Sequence, residues 1–245
     1  MSLKLFQKAG KEFINGIKTG TPIAIGYIPG AAAFGILAKT AGLNLWECLF
    51  MSTVVCAGAS QYVALNLLMA GTAFPEIVFA TALINLRHIM LSSALTKRLE
   101  SNIPALKKLF IFSTITDENF SVAAMHTGRF LPADFVMGIN TPGLFTWIAG
   151  SGLGWWGTIF LPEALQSCMG IAIYALFTAL LIPAVKRSRA ALAVSGTAIV
   201  LSGLTRLTPV SDYLNRGISI MLVTIIAASA GAYLYPVRRH STDHE

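Results

Sequence analysis

The sequence predicts an all-α, polytopic membrane protein, and three observations carry that prediction. Of 245 residues, 55% are hydrophobic and 12% are charged, where an ordinary soluble domain has about 25% charged. Mean hydropathy is +0.67. The charges gather in short clusters and leave long apolar stretches between them, several of them reaching the roughly 20 residues that a helix needs to span the hydrocarbon core. A soluble fold this apolar would lack polar surface. Barrel strands alternate apolar and polar over roughly ten residues, whereas runs such as IAIYALFTALLIPAV at 171–185 are apolar on every face. Such runs suit helices that face lipid or other helices.

Eight hydrophobic segments follow in order, near 17–38, 46–70, 74–95, 108–126, 135–160, 164–183, 190–207 and 214–235. None of the connections is long enough for a separate soluble domain, so 1–245 reads as one transmembrane domain. The opening MSLKLFQKAGKEF is a short amphipathic lead-in without a small-residue cleavage site, and no signal peptide is expected. Basic residues mark segment ends: Lys4, Lys8, Lys11 and Lys18; Lys97, Arg98, Lys107 and Lys108; Lys186, Arg187 and Arg189; Arg238 and Arg239. They supply the net charge of +7 without forming a stripe interleaved with aromatics, which argues against a nucleic-acid partner.

Positive loops prefer the cytoplasm, so both termini are expected there. With all eight segments crossing, the 186–189 loop also comes out cytoplasmic, but 97–108 lands outside. Either that loop departs from the rule, or one segment in each of the first two triplets fails to cross. Eight crossings is the simpler expectation, and the conflict directs attention to broken or re-entrant segments. Four segments carry interruptions. The first holds Gly26-Tyr27-Ile28-Pro29-Gly30, where a mid-helix proline predicts a break at Pro29 and Gly30. The second holds Cys56-Ala57-Gly58-Ala59-Ser60-Gln61. The fourth holds Thr116-Asp117-Glu118-Asn119. The fifth holds Asn140-Thr141-Pro142-Gly143, where Thr141 is placed to cap a helix starting at Pro142. Irregular backbone at membrane depth survives only where protein or a wet cavity satisfies it.

Asp117 and Glu118 are the strongest chemical signal, because a mid-membrane carboxylate costs about 2.5–3.5 kcal/mol on insertion scales. On a helix Thr114, Asp117 and Ser121 share a face and Glu118 points about 100° away. They form a substrate-ammonium or proton site, or else the segment ends near 116 and the acids lie in the interface. Asn85 and His88 share a face of the third segment, with Arg87 beside them. An arginine there needs a carboxylate, and Asp117 or Glu118 is the natural partner, whether as part of a site or as a structural clamp. Ser52, Cys56 and Ser60 recur at four-residue spacing beside Gly58 and Gln61, which packing alone also explains. Gly16/Gly20, Gly26/Gly30 and Gly150/Gly154 have GxxxG spacing. Cys48, Cys56 and Cys168 lack metal-ligand spacing and read as small buried apolar residues. No metal, cofactor or catalytic set is expected. Gly58-Ala59-Ser60-Gln61-Tyr62 lacks the last glycine of a nucleophile elbow, and His88 and His126 have no paired-histidine spacing.

The turn Gly-Tyr-Ile-Pro-Gly-Ala (26–31), Ala-Gly-Ala-Ser-Gln-Tyr (57–62), Asn-Leu-Arg-His (85–88) and Thr-Asp-Glu-Asn-Phe (116–120) occur in this order. Together they resemble the large subunit of the branched-chain amino acid exporters, the azaleucine-resistance (AzlC- or YgaZ-type) permease family, over roughly residues 10–235. The resemblance implies a multi-pass protein of the inner or plasma membrane that exports valine, leucine, isoleucine or other hydrophobic amino acids. It also implies a small hydrophobic AzlD/YgaH-type partner subunit. Candidate substrate-binding or proton-coupling residues are Asp117, Glu118, Asn119, Arg87, His88, Asn85, Gln61, Ser60 and Tyr27. A zwitterion needs an anion site, an ammonium site and an apolar pocket. Arg87, or a half-helix N-terminus after Pro29 or Pro142, suits the carboxylate. Asp117 or Glu118 suits the ammonium group, and a small-residue wall at Ala57 to Ser60 suits a branched side chain. No G-x-x-x-x-G-K-[ST] loop is present, so the carrier is expected to be secondary. A passive channel subunit, an intramembrane enzyme using Ser60 or His88, and a membrane scaffold are the rival readings.

Overall fold

The computed structural model describes residues 2–128, 130–160, 162, 178, 181–182, 185–186, 188–207 and 216–235. Almost all of the expected segment at 164–183, with Cys168, lies outside the described residues, as do Arg238 and Arg239. The described residues form nine α-helices: α1 (Ser2–Thr40), α2 (Leu45–Val54), α3 (Gly58–Met69), α4 (Phe74–Thr96), α5 (Ala105–Ser113), α6 (Asp117–Ala124), α7 (Ala133–Gly157), α8 (Arg189–Leu207) and α9 (Arg216–Leu234). A 3-10 turn, Thr158–Phe160, follows α7. Among the described residues the β-structure consists of one isolated bridge, Leu99 to Leu131. By length and composition, Ala9–Thr40 and Phe74–Thr96 can each cross a membrane. The chain divides into two compact units, one of residues 1–66 and 81–173, the other of 67–80 and 174–245.

In the first unit α1 and α7 lie side by side. A Cβ at Gly16 would meet the Phe135 carbonyl at 2.1 Å, one at Gly20 the Ile139 carbonyl at 2.3 Å, and one at Gly35 the Ser151 carbonyl at 1.9 Å. From the other side, Gly138 faces Phe13 and Gly16, Gly150 faces Ala31, and Gly154 faces Ala32. The partners rise together along both helices, so the two run parallel. Backbones this close require glycine. Two of the three GxxxG pairs, Gly16/Gly20 and Gly150/Gly154, lie on this contact, while a Cβ at Gly26 would meet nothing within 4 Å.

The expected breaks at Pro29, Gly30 and Pro142 do not occur: α1 runs unbroken through Pro22 and Pro29, and α7 through Pro142. Pro22 and Pro29 are exposed and each follows an α7-facing residue, Gly20 and Tyr27, by two positions. That is about 200° round the helix, so both prolines stand opposite the packed ridge. Each removes one hydrogen bond on the outer face, while the contact with α7 holds the inner face straight. Thr141 does not cap a new helix; its hydroxyl donates to the Met137 carbonyl at 2.7 Å, one turn back.

The breaks fall instead in the second and fourth segments. α1 ends on Gly42 at φ +87. The Leu43 amide donates to the Ala38 carbonyl at 3.0 Å, and the Gly42 amide to the Lys39 carbonyl at 3.0 Å, the paired bonds of a glycine C-cap. A capping box then starts α2, with Asn44 and Glu47 exchanging side-chain bonds of 2.8 and 2.9 Å. α2 enters where α1 and α7 finish: Trp155 Nε1 donates to the Leu43 carbonyl at 2.8 Å, and Lys39 lies over the Trp155 ring. Further along, Ser52 donates to Ser151 at 2.9 Å. The helix breaks at Cys56, whose φ of +42 is left-handed, and α3 begins at Gly58 against Trp147.

The fourth segment folds back on itself, and the preference for eight straight crossings is corrected here. α5 starts at the N-terminal end of α7, where Lys107 Nζ donates to Asp134 at 2.6 Å. It climbs until Asn140 Nδ2 donates to the Ile111 carbonyl and to Thr114 at 3.2 and 3.0 Å. The helix stops at Ser113, and Thr116 caps α6 by accepting from the Asn119 amide at 3.2 Å. α6 then descends. Arg98 donates to the carbonyls of Ala124, His126 and Gly128 at 2.7, 2.7 and 3.2 Å, a basic cap on the helix C-terminus. The His126 ring packs on Phe135. Glu100 accepts from the Ala133 amide at 2.9 Å, so the 97–108 loop ties both ends of the hairpin to the start of α7. A core of buried residues including Leu95, Ile111, Ile115, Leu131, Val136 and Ile139 fills this end. Lys97, Arg98, Lys107 and Lys108 thus share one end of the unit with the N-terminal half of α1, because 108–126 folds back on itself.

In the second unit α8 and α9 pack against each other, and a Cβ at Gly231 would come within 2.2 Å of Val194.

Two expectations follow. Gly154→Ala should lower the thermal stability of the purified protein by about 1–3 kcal/mol through overpacking, while Gly26→Ala stays neutral or gains about 0.5–1 kcal/mol in helix propensity. In a cysteine-free background, single cysteines at Asn102 and Met125 should react with a membrane-impermeant maleimide from the same side; labelling from opposite sides would contradict the hairpin.

Candidate functional site

The two breaks come together against the middle of α1. Tyr27 lies near the centre of the Ala9–Thr40 span. Its hydroxyl donates to Glu118 Oε2 at 2.7 Å and lies 2.7 Å from Thr116 Oγ1. A phenol has one proton, so Thr116 donates to Tyr27. The Tyr27 ring meets Trp147 edge-on, with centroids 5.9 Å apart. Trp147 Nε1 in turn donates to Gln61 Oε1 at 2.8 Å, and its ring packs on Gly58. One relay, Glu118–Tyr27–Trp147–Gln61, therefore joins the tip of the α5–α6 hairpin to the first turn of α3.

Asp117 and Glu118 are adjacent but take different partners, as their angular separation on the helix requires. Asp117 forms an ion pair with Arg87 of α4. Glu118 faces Tyr27, and the two carboxylates do not converge on one cation. Both occupy the first turn of α6, where negative charge is favoured. Arg87 and Asp117 are half-exposed, with side chains 39% and 47% accessible. His88, next to Arg87 on α4, takes no part in the relay.

Several polar atoms here are buried without a partner: Gln61 Nε2, Asn119 Oδ1, Asn140 Oδ1, Asn85 Oδ1 and Arg87 Nε. Each such atom costs about 1–3 kcal/mol unless a ligand or water meets it, and three of the five belong to the hairpin tip, to the first turn of α3 or to α7, which holds both. Ser60 is fully buried and donates to the Ala57 carbonyl at 2.9 Å, so it serves the break itself. Tyr62 packs edge-on against Phe34 and donates to the Gly30 carbonyl at 2.6 Å.

Sequence reasoning missed Trp147, which carries the relay, and the anchoring role of Asn140. Asn140 carries a signal as a lone amide in an apolar helix, although its neighbours Pro142 and Gly143 point to a break there. Nothing local distinguishes Trp147 from the other tryptophans of its segment, since its importance comes from facing Gly58.

Membrane-length helices around broken-helix tips that hold carboxylates and amides, with an arginine of α4 paired to one of the carboxylates, define a polytopic membrane protein. The profile of the AzlC protein family matches residues 22–161, a stretch that contains the whole relay, and the chain belongs to that family. It is 32% identical over 192 residues to an uncharacterized membrane protein of Archaeoglobus fulgidus, covering 78% of this chain and 84% of the relative. It is 27% identical over 199 residues to the inner membrane protein YgaZ of Escherichia coli, covering 79% and 81%. It is also 25% identical over 138 residues to the branched-chain amino acid transport protein AzlC of Bacillus subtilis, covering 54% and 52%. No solved structure matches the chain.

A double-mutant cycle of Tyr27→Phe and Glu118→Gln should show coupling of about 0.5–3 kcal/mol in unfolding stability, as expected for groups in direct contact. Strict additivity would mean that the relay is not formed.

Proposed function

We propose that this protein is the large subunit of a two-component secondary exporter of branched-chain or other hydrophobic amino acids, with its substrate site at the two broken-helix tips. The observation that carries this reading is the Glu118–Tyr27–Trp147–Gln61 relay. It brings a carboxylate, an amide and aromatic walls together at mid-span in an otherwise apolar bundle, the setting in which carriers bind small zwitterions. The likeness to the Bacillus subtilis transport protein supports the substrate class. Glu118 suits the substrate ammonium group, and Asn119, the next residue, has an Oδ1 without a partner that can accept from it. Arg87 and Asp117 neutralise each other and hold α4 to the hairpin. Half-exposed in mid-span, they cannot face hydrocarbon, which supports a covering partner such as the small hydrophobic subunit. The basic end formed by the start of α1 and the 97–108 loop is assigned to the cytoplasm on the positive-inside rule.

The test is efflux of isoleucine from loaded cells that express this chain with and without its small partner. Wild type with partner should lower intracellular isoleucine. Glu118→Gln and Arg87→Gln should each slow efflux by about tenfold or more, the scale of one lost charge-assisted contact. Wild-type rates in both variants would sink the assignment, and ohmic, non-saturating flux would make the protein a channel.

A further inference from the structure

We propose that the first turn of α3, together with the Gln61 side chain, is the subsite for the substrate's carboxylate, an inference that rests on the amino-acid reading above. α3 runs 12 residues from Gly58, long enough for its N-terminal amides to carry a partial positive charge. The Ala57 carbonyl accepts from the Gln61 amide at 3.0 Å, which makes Ala57 the residue that precedes the helix. Its methyl group offers no oxygen to the amides of Gly58, Ala59 and Ser60, which a Ser, Thr, Asp or Asn at that place would serve.

The second observation is independent of the helix end. Gln61 is fully buried, and Trp147 Nε1 donates to its Oε1. That bond fixes which way round the amide stands, so Nε2 is the remaining donor, and it has no partner. Buried donors without acceptors are uncommon. Side chains in a first turn lean back toward the helix N-terminus, and Trp147, whose indole N–H holds Oε1, also packs on Gly58, which brings the Gln61 carboxamide to the end of the helix where those amides lie. A carboxylate placed there accepts from both, in surroundings from which water is excluded.

The other groups at this level suit a carboxylate less well. α6 is already capped by Thr116 and carries Asp117 and Glu118 in its first turn, which repel an anion. Arg87 already shares its guanidinium with Asp117. A zwitterion lying between the tips therefore directs its carboxylate to α3 and its ammonium group to Glu118 and Asn119.

The experiment is isoleucine counterflow in proteoliposomes holding the full chain with its small partner. Competitors are 2-methylbutylamine, which is isoleucine without its carboxylate, and 3-methylpentanoate, which is isoleucine without its ammonium group. Gln61→Ala should raise the half-saturating isoleucine concentration, and the inhibitory concentration of 3-methylpentanoate, by about tenfold or more, the scale of a lost charge-assisted hydrogen bond. The amine should inhibit as in wild type. Ala57→Asp should do the same, because its carboxylate occupies the amides while capping, and so supporting, the helix. Equal weakening of the amine and the acid, or no effect of Ala57→Asp, overturns the proposal. So does loss of acid recognition in Arg87→Gln alone. Wild type without saturable isoleucine counterflow overturns both this inference and the transport reading, whereas normal counterflow with an indifferent Ala57→Asp overturns this inference only.

Discussion

The backbones of α1 and α7 run so close that a methyl group at Gly16, Gly20, Gly35, Gly138 or Gly154 would fall within 2.3 Å of a carbonyl oxygen on the other helix. Two helices separated by more than ninety residues of chain are thereby locked in parallel along most of their length. In lipid there is no hydrophobic gain from bringing apolar helices together, and association depends on close packing. The glycines make that packing possible. Because α1 and α7 are parallel, the chain between them must return to the end from which α1 set out. Arg98, Glu100 and the Leu99–Leu131 bridge mark that return.

The same rigid pair provides the wall on which broken helices are tolerated. Irregular backbone in a bilayer needs protein partners for its polar groups. Tyr27 supplies them for the hairpin tip, Asn140 for the end of α5, and Trp147 for the first turn of α3. The three side chains stand on the two helices that pack backbone to backbone. A site built on such elements holds its geometry better than one built on loops. The polar tips and the stiff pair are thus one device.

Much of the candidate site was legible in the sequence. Two adjacent acids inside an apolar run, and an arginine beside an asparagine and a histidine in another, stand out because each is costly at membrane depth. That Arg87 needs an acid is electrostatics; that Asp117 supplies it while Glu118 turns to Tyr27 depends on the angle at which α6 leaves the break. The prolines misled. Pro29 and Pro142 carry the strongest local signal for a break, yet the helices persist because α1 and α7 hold each other, and the α1 prolines sit on the outer face. Cys56 and Thr114–Thr116, with weaker local signals, are where the backbone departs from the helix.

From residue order alone came the all-α membrane class, the position of the charge clusters, the polar interruptions and the family likeness, because hydrophobic length and charge placement are properties of the chain itself. The charge clusters even exposed a conflict over the 97–108 loop. Only tertiary structure decided that 108–126 folds back, that parallel α1 and α7 override their prolines, and that Trp147 bridges the two tips. Those outcomes depend on which faces meet across long separations in sequence, and on small residues letting backbones touch. No local pattern encodes that.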